Sequence, residues 1–220
     1  MVTRAVLFDL DDTLVDHQHA SRMAVAGVRL AFAALKACDV DVLLAENNRL
    51  VEELHADVGL GRRTADDARM ERYRRLFAFA GATGRRARAA AELHRRIYQS
   101  SRRAVPGAAA LLAALHGRVS IAIVTNNTVA EQTEKLATFH LAPFIDALVT
   151  SEEVGTVKPG PAIFAYALAR CGCPAAAAVM VGDSWRNDVE GAQRAGIRAL
   201  WFNRLGTTTP DPAVPEVTSL

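Results

Sequence analysis

Five short apolar runs punctuate the chain: Ala5–Phe8, Ser120–Thr125, Ala147–Thr150, Ala177–Val181 and Arg198–Phe202. They are near-continuous rather than alternating, the pattern of strands covered on both faces. Between the later four lie segments with helical spacing, from Val129 to about Phe139, from Pro161 to Gly172, and from about Asn187 to Ala195 before Gly196. Pro161 suits a first helical turn and Gly172 the position just past the last one. Strands alternating with helices of roughly a dozen residues predict right-handed crossovers and a parallel sheet.

The pattern changes between Asp16 and about Ala104. No strand-like run occurs there, only helical stretches over His19–Cys38, Val42–Asp57, Ala65–Ala80 and Ala87–Ser101, jointed at Gly59, Gly61, Gly81 and Gly84. The expected organisation is an α/β core from residues 1–15 and 105–220, with an all-helical insertion at 16–104. From Leu44 to Arg103 the insertion carries fourteen Arg against eight Asp and Glu. Most of these arginines are expected on solvated helix faces.

Composition narrows the partners. Half of the 220 residues are hydrophobic, enough for a sizeable core, and the formal net charge is only +2. Neither nucleic acid nor a membrane surface is the expected partner at that charge. No window approaches the ~20 apolar residues of a transmembrane helix. The first strand begins too soon after Met1 to leave room for a signal peptide. Cys38, Cys171 and Cys173 form no disulfide framework, and Cys171-Gly172-Cys173 lacks the spacing and partners of a zinc site. The expectation is a cytoplasmic protein with reduced thiols, a monomer or a homodimer.

The chemistry sits where the strands end. After Val6-Leu7-Phe8 come Asp9 and Asp11, two carboxylates beyond the end of a buried strand. In an open parallel sheet that is where ligands bind. Paired carboxylates there need a cation or a proton to offset their repulsion, and Mg²⁺ with its preference for hard oxygen is the simplest solution. The second strand ends in Thr125-Asn126-Asn127, whose hydroxyl, amide and backbone N–H donors suit a phosphate. Lys158 is followed by Pro159, which biases it away from helix. A later strand ends in Gly182-Asp183, with Asp188 five residues on at a helix start. Helix capping explains any one of these ends, but not why all four carry metal or phosphate chemistry.

In order, Asp9-x-Asp11-x-Thr13, Thr125-Asn126, Lys158-Pro159 and Gly182-Asp183-x-x-x-Asn187-Asp188 resemble the four motifs of the haloacid dehalogenase-like (HAD) superfamily. The likeness covers the whole sheet region. It is to members with a helical C1 cap, such as phosphoglycolate and N-acylneuraminate-9-phosphatases, and it implies a Rossmann-like parallel sheet sandwiched by helices. By resemblance, Asp9 is the nucleophile that forms an aspartyl-phosphate. Asp11 protonates the leaving alcohol and then activates water. Mg²⁺ is held by Asp9, the backbone carbonyl of Asp11 and Asp183, with Asp188 supporting. Thr125, Asn126 and Lys158 hold the phosphoryl group. Asn127 stands where relatives often have Gly, and Gly160 where Asp is frequent.

The insertion stands where the C1 cap is found, which limits access to small molecules. Leu14–Ala20, with His17 and His19, is expected to form the hinge. Arg62 and Arg63, beside Gly61, are candidates for recognising a second anionic group on the substrate. The function implied is a Mg²⁺-dependent phosphatase acting on a small phosphate ester. A 2-haloacid dehalogenase uses the same nucleophile without metal or second aspartate, so Asp11, Asp183 and Asp188 argue against it. A phosphosugar mutase needs both aspartates, and Thr13 looks more like the phosphatases. A non-catalytic binding protein would be signalled by loss of Asp9, Asp11, Lys158 or Asp183, all of which are present.

Overall fold

A computed structural model describes residues 2–59 and 61–220, with the side chains of His55, Ala56 and Gly59 outside the description. Leu60, in the joint before Arg62, also lies outside the described residues. The chain divides into two compact units, residues 1–15 with 104–220 and residues 16–103.

The first unit is built on six parallel strands, β1 (Ala5–Phe8), β2 (Ser120–Thr125), β3 (Ala147–Thr150), β4 (Ala178–Gly182), β5 (Arg198–Phe202) and β6 (Glu216–Val217). They run in the order β3-β2-β1-β4-β5-β6, so the first strand is central. Its register sets Phe8 beside Ile123 on one side and Val181 on the other. Alternate residues leave the sheet on opposite faces, and both faces are covered. Val6, Phe8, Ile121 and Ile123 join a core with Leu112 and Leu136. Ala5, Leu7, Ala122 and Val124 join another with Ile163, Phe164 and Ala192. Burial on both faces is why these strands read as continuous apolar runs.

The second unit contains α1 (His17–Ala31), α2 (Ala33–Lys36), α3 (Val40–Gly59), α4 (Ala65–Phe79) and α5 (Ala87–Ser100). Leu43, Leu50, Tyr73, Leu76 and Ala90 form its core. The expected helix over His19–Cys38 is interrupted: Phe32 is extended (φ −117°, ψ 112°), accepting no helical geometry. Its ring instead packs edge-on against Phe77 at 5.6 Å, so burial of an aromatic side chain overrides helix propensity. The two ends of the unit are tied together. The Asp16 carboxylate accepts the His19 N–H at the start of α1 and two guanidinium N–H groups of Arg103, at 2.9 and 2.7 Å.

The remaining helices belong to the first unit: α6 (Ala108–Leu115), α7 (Val129–Thr138), α8 (Ser151–Val154), α9 (Pro161–Cys171) and α10 (Gly191–Arg194). The expected helix from Asn187 to Ala195 is in fact a π-helix over Trp185–Glu190 that continues into α10. The strand expected at Ala177–Val181 is shifted one residue onward. The Thr- and Pro-rich tail contributes β6, paired with β5.

Candidate active site

Asp9 leaves the end of β1 and its N–H still bonds to the Val181 carbonyl at 2.9 Å, so the sheet fixes its backbone. The chain then turns sharply. Asp12 takes a left-handed conformation (φ 65°), and Leu14 and Val15 both donate to the Leu10 carbonyl. Asp tolerates this region better than most residues. The turn brings Thr13 beside Asp183, Oγ1 to Oδ1 at 3.4 Å.

Lys158 is the centre of the arrangement. Only 3% exposed, it donates from Nζ to Asp9 Oδ1 and to Asp188 Oδ1, each at 2.6 Å. Asn126 holds the Lys158 backbone from both sides, donating to its carbonyl at 2.9 Å and accepting its N–H at 2.6 Å. The second oxygen of Asp188 accepts the Ser184 N–H at 3.0 Å. Gly182 makes room for this: a Cβ there would lie 2.3 Å from Asp188 Oδ2. The backbone of Asp183 is held by the Trp201 indole, which donates to its carbonyl at 2.8 Å.

Asp9, Asp183 and Asp188 each offer an oxygen within 4.8 Å of the others. Three carboxylates around one ammonium leave excess negative charge in a buried place. The acids respond to that excess. Burial foremost, against the pull of Lys158, pushes the Asp9 carboxyl up to about 7, with Asp188 and Asp11 adding repulsion. Burial also holds Asp183 well above the usual carboxylate range, with repulsion from Asp9 and Asp188 next. Burial alone would lower the Lys158 ammonium, but Asp188 and Asp9 outweigh it and its pKa is raised. Hard oxygen donors with surplus negative charge are the donor set that Mg²⁺ takes, so the residues present fit that ion.

The structure thus brings Asp9, Lys158, Asp183 and Asp188 into direct contact or ligand range, and sets Asn126 behind Lys158. Thr125 is buried, its hydroxyl accepting from Gln132 Nε2 at 2.6 Å. Asp11 faces α7 and accepts from Lys135 Nζ at 2.6 Å and from Gln132 Nε2 at 3.0 Å. Arg62 and Arg63 belong to the second unit, in the turn after α3. Arg62 pairs with Asp57 at 3.6 Å and its side chain is 68% exposed. His17 begins α1 and its Nδ1 lies 2.7 Å from the Tyr98 hydroxyl.

Gln132 and Lys135 do not stand out in the sequence from the rest of the helix that carries them. One signal was available. The chain has 26 Lys and Arg but only three lysines, Lys36, Lys135 and Lys158, and two of the three meet the aspartates.

A family model described as haloacid dehalogenase-like hydrolase matches residues 3–196. The chain is similar to the phosphoserine phosphatase of Thermus thermophilus, 34% identical over 97% of this chain and 94% of that protein. It is 40% identical to the pyrimidine 5'-nucleotidase YjjG of Escherichia coli over 52% of this chain, a match spanning only 51% of that enzyme. Among solved structures it resembles the magnesium-bound HAD-hydrolase YfnB of Bacillus subtilis, with a TM-score of 0.80 and 27% identity over 100% of this chain and 96% of that one. With the fold, the order of the strand-end residues and these matches in agreement, the chain belongs to the haloacid dehalogenase-like hydrolases.

Proposed function

We propose that the protein is a Mg²⁺-dependent phosphomonoesterase that works through an aspartyl-phosphate on Asp9. The observation that carries this is the buried Lys158 ammonium, 2.6 Å from both Asp9 and Asp188, with Asp183 in ligand range of both acids. Phosphoryl transfer is chiefly positioning and neutralisation of spread negative charge, and this site assembles the means for both.

Asp9 supplies the nucleophile. One of its oxygens forms a bond to phosphorus while the bond from phosphorus to the leaving oxygen breaks. Asp11 gives its proton to that oxygen and later takes one from the water that hydrolyses the acyl-phosphate, regenerating Asp9 and releasing phosphate. Lys158 offsets the repulsion between the Asp9 carboxylate and the incoming phosphate, with Thr125 and the loop at Asn126 completing the phosphate cradle. Mg²⁺ fits Asp9, the Asp11 backbone carbonyl and Asp183, with Asp188 supporting, and when bound it supplies the remaining charge neutralisation.

Residues 16–103 are assigned the part of the cap, which admits a small phosphate ester and excludes water during the reaction. Arg62 and Arg63 are assigned to recognition of a second anionic group on that ester. Relatives named for phosphoserine and for pyrimidine nucleotides differ in substrate, so what carries across is the hydrolysis of a phosphate ester. Among the described residues no helix is long and apolar enough to cross a membrane. A cytoplasmic setting is part of the proposal, since free thiols such as the three cysteines persist in a reducing compartment.

Phosphate release from 4-nitrophenyl phosphate tests the reading. Activity is expected with Mg²⁺, none in EDTA, and none in Asp9→Asn, because an amide cannot form the acyl-phosphate. Metal-independent release, or Asp9→Asn within tenfold of wild type, refutes it. Metal-free turnover of a 2-haloacid would favour the dehalogenase chemistry instead.

A further inference from the structure

Lys135 is wholly buried on α7, yet it carries a charge. A buried ammonium is costly unless paired, and two acids meet it: Asp11 Oδ1 at 2.6 Å and Glu131 Oε1, one turn back on the same helix, at 3.2 Å. Glu131 alone would satisfy the charge locally. The Asp11 contact does something else, because it reaches from α7 to the turn after β1, across 124 positions of sequence. Gln132 reinforces it. Its amide nitrogen donates to Asp11 Oδ2 at 3.0 Å and to the Thr125 hydroxyl at 2.6 Å, while its Oε1 is buried with no hydrogen-bond partner. A buried amide that leaves its oxygen unsatisfied is held there by what its nitrogen does. Residues 132 and 135 are one turn apart on a helix and so share a face. Each takes a different oxygen of the same carboxylate. Asn127 Nδ2 stands 3.4 Å from Oδ2 as well.

We propose that Lys135, with Gln132, is a positioning residue that sets the orientation of the Asp11 carboxylate for proton transfer. The inference rests on the acid and base role given above to Asp11. Three donors on one short carboxylate leave it a single orientation, and general acid–base catalysis depends on that orientation before anything else. Lys135 touches neither phosphorus nor metal. Its effect passes through Asp11, and losing it is expected to injure only the steps in which Asp11 moves a proton.

Two generic substrates separate those steps. The 4-nitrophenolate of 4-nitrophenyl phosphate departs as a stable anion and needs little protonation, whereas the alkoxide of glycerol 2-phosphate needs a proton. Rapid-quench kinetics with Mg²⁺ compare wild type, Asp11→Asn, Lys135→Met and the double variant. Methionine keeps the apolar stem in its buried channel. Lys135→Met is expected to keep a full first-turnover burst of nitrophenolate, but to lose about tenfold or more in later turnover and in glycerol 2-phosphate hydrolysis. In the Asp11→Asn background the same substitution is expected to add less than about twofold, because the two residues act as a unit.

Equal loss in burst and steady state, no loss at all, or losses that multiply in the double variant would each overturn the role of Lys135. If Asp11→Asn itself matched wild type on both substrates, the acid and base assignment would fall instead. Should Lys135→Met not fold, Lys135→Gln is judged by the same comparison.

Discussion

Lys158 holds two carboxylates at 2.6 Å in a place where water screens almost nothing, so its removal strands both. Lys158→Met is expected to abolish turnover and, in the metal-free protein, to cost about 3–5 kcal/mol, the usual penalty for breaking a buried pair from one side. Urea unfolding in EDTA measures it, and unchanged stability would mean the acids are protonated rather than paired. Gly182 matters for a different reason. A methyl group there would overlap the Asp188 carboxylate, 2.3 Å away, and Asp188 has no slack because Lys158 and the Ser184 N–H both hold it. Gly182→Ala is expected to cost about 1–3 kcal/mol by overpacking. It is also expected to weaken Mg²⁺ binding by about 10–100-fold, as the loss of a supporting partner does. Isothermal titration with Mg²⁺ reads the second effect. The aspartates were legible in the sequence because Asp9 and Asp183 stand where apolar runs end, with Asp11 and Asp188 a few residues beyond, and Lys158 because the prolines at 159 and 161 follow it. Lys135 and Gln132 were not, since a helix face is read as core or solvent and neither describes a charge buried against a distant turn.

The elements carrying the site differ in how plainly the chain announces them. Four of the five strands read from the sequence have the observed bounds, because a strand buried on both faces admits little besides Val, Ile, Leu and Ala. Helix α6 passed unnoticed: Ala108–Leu115 is all Ala and Leu, and a stretch apolar on every side shows no period. The π-helix at Trp185–Glu190 has no sequence signature either. It forms where Asp188 must turn back to meet Ser184 and Lys158 while Trp185 packs edge-on against Trp201 at 5.2 Å. Such bulges occur often at functional sites. Helix α7 rests on a cap: the Thr128 hydroxyl accepts the Glu131 N–H, and α7 in turn presents Gln132 and Lys135 to Asp11. Thr128→Ala is expected to cost about 0.5–2 kcal/mol, measurable by urea unfolding. Stability equal to wild type would show the cap to be dispensable.

For the molecule as a whole, the buried acids are expected to couple folding to pH and, on the proposed reading, to Mg²⁺. In the metal-free protein Asp9 is raised to about 7 from 3.8, so the folded state keeps a proton that the unfolded chain has released. That contribution is fully present below about pH 4 and is lost as pH rises through about 7. Asp183 shifts in the same direction. In EDTA the Tm of wild type, taken relative to Asp9→Asn, is therefore expected to fall between pH 5 and 7.5. If Mg²⁺ binds the ionised acids as proposed, its stabilisation is expected to be larger at pH 7.5 than at pH 5. At a hundredfold excess over Kd that stabilisation is about 2.7 kcal/mol. Equal stabilisation at both pH values would mean that the ion binds elsewhere. In the second unit, Arg62→Ala with Arg63→Ala is expected to raise KM for an ester bearing a second anionic group while leaving that for 4-nitrophenyl phosphate unchanged. Equal kinetics across phosphoglycolate, sugar phosphates and nucleotides would return the pair to solvent. The covalent intermediate can be trapped: the enzyme with Mg²⁺ is quenched in acid during turnover of 4-nitrophenyl phosphate and its peptides are read by mass spectrometry. A hydroxylamine-labile phosphoryl group is expected on the peptide holding Asp9 and is expected to be absent from Asp9→Asn. A wild-type enzyme that turns over while that peptide stays unmodified would contradict the covalent mechanism.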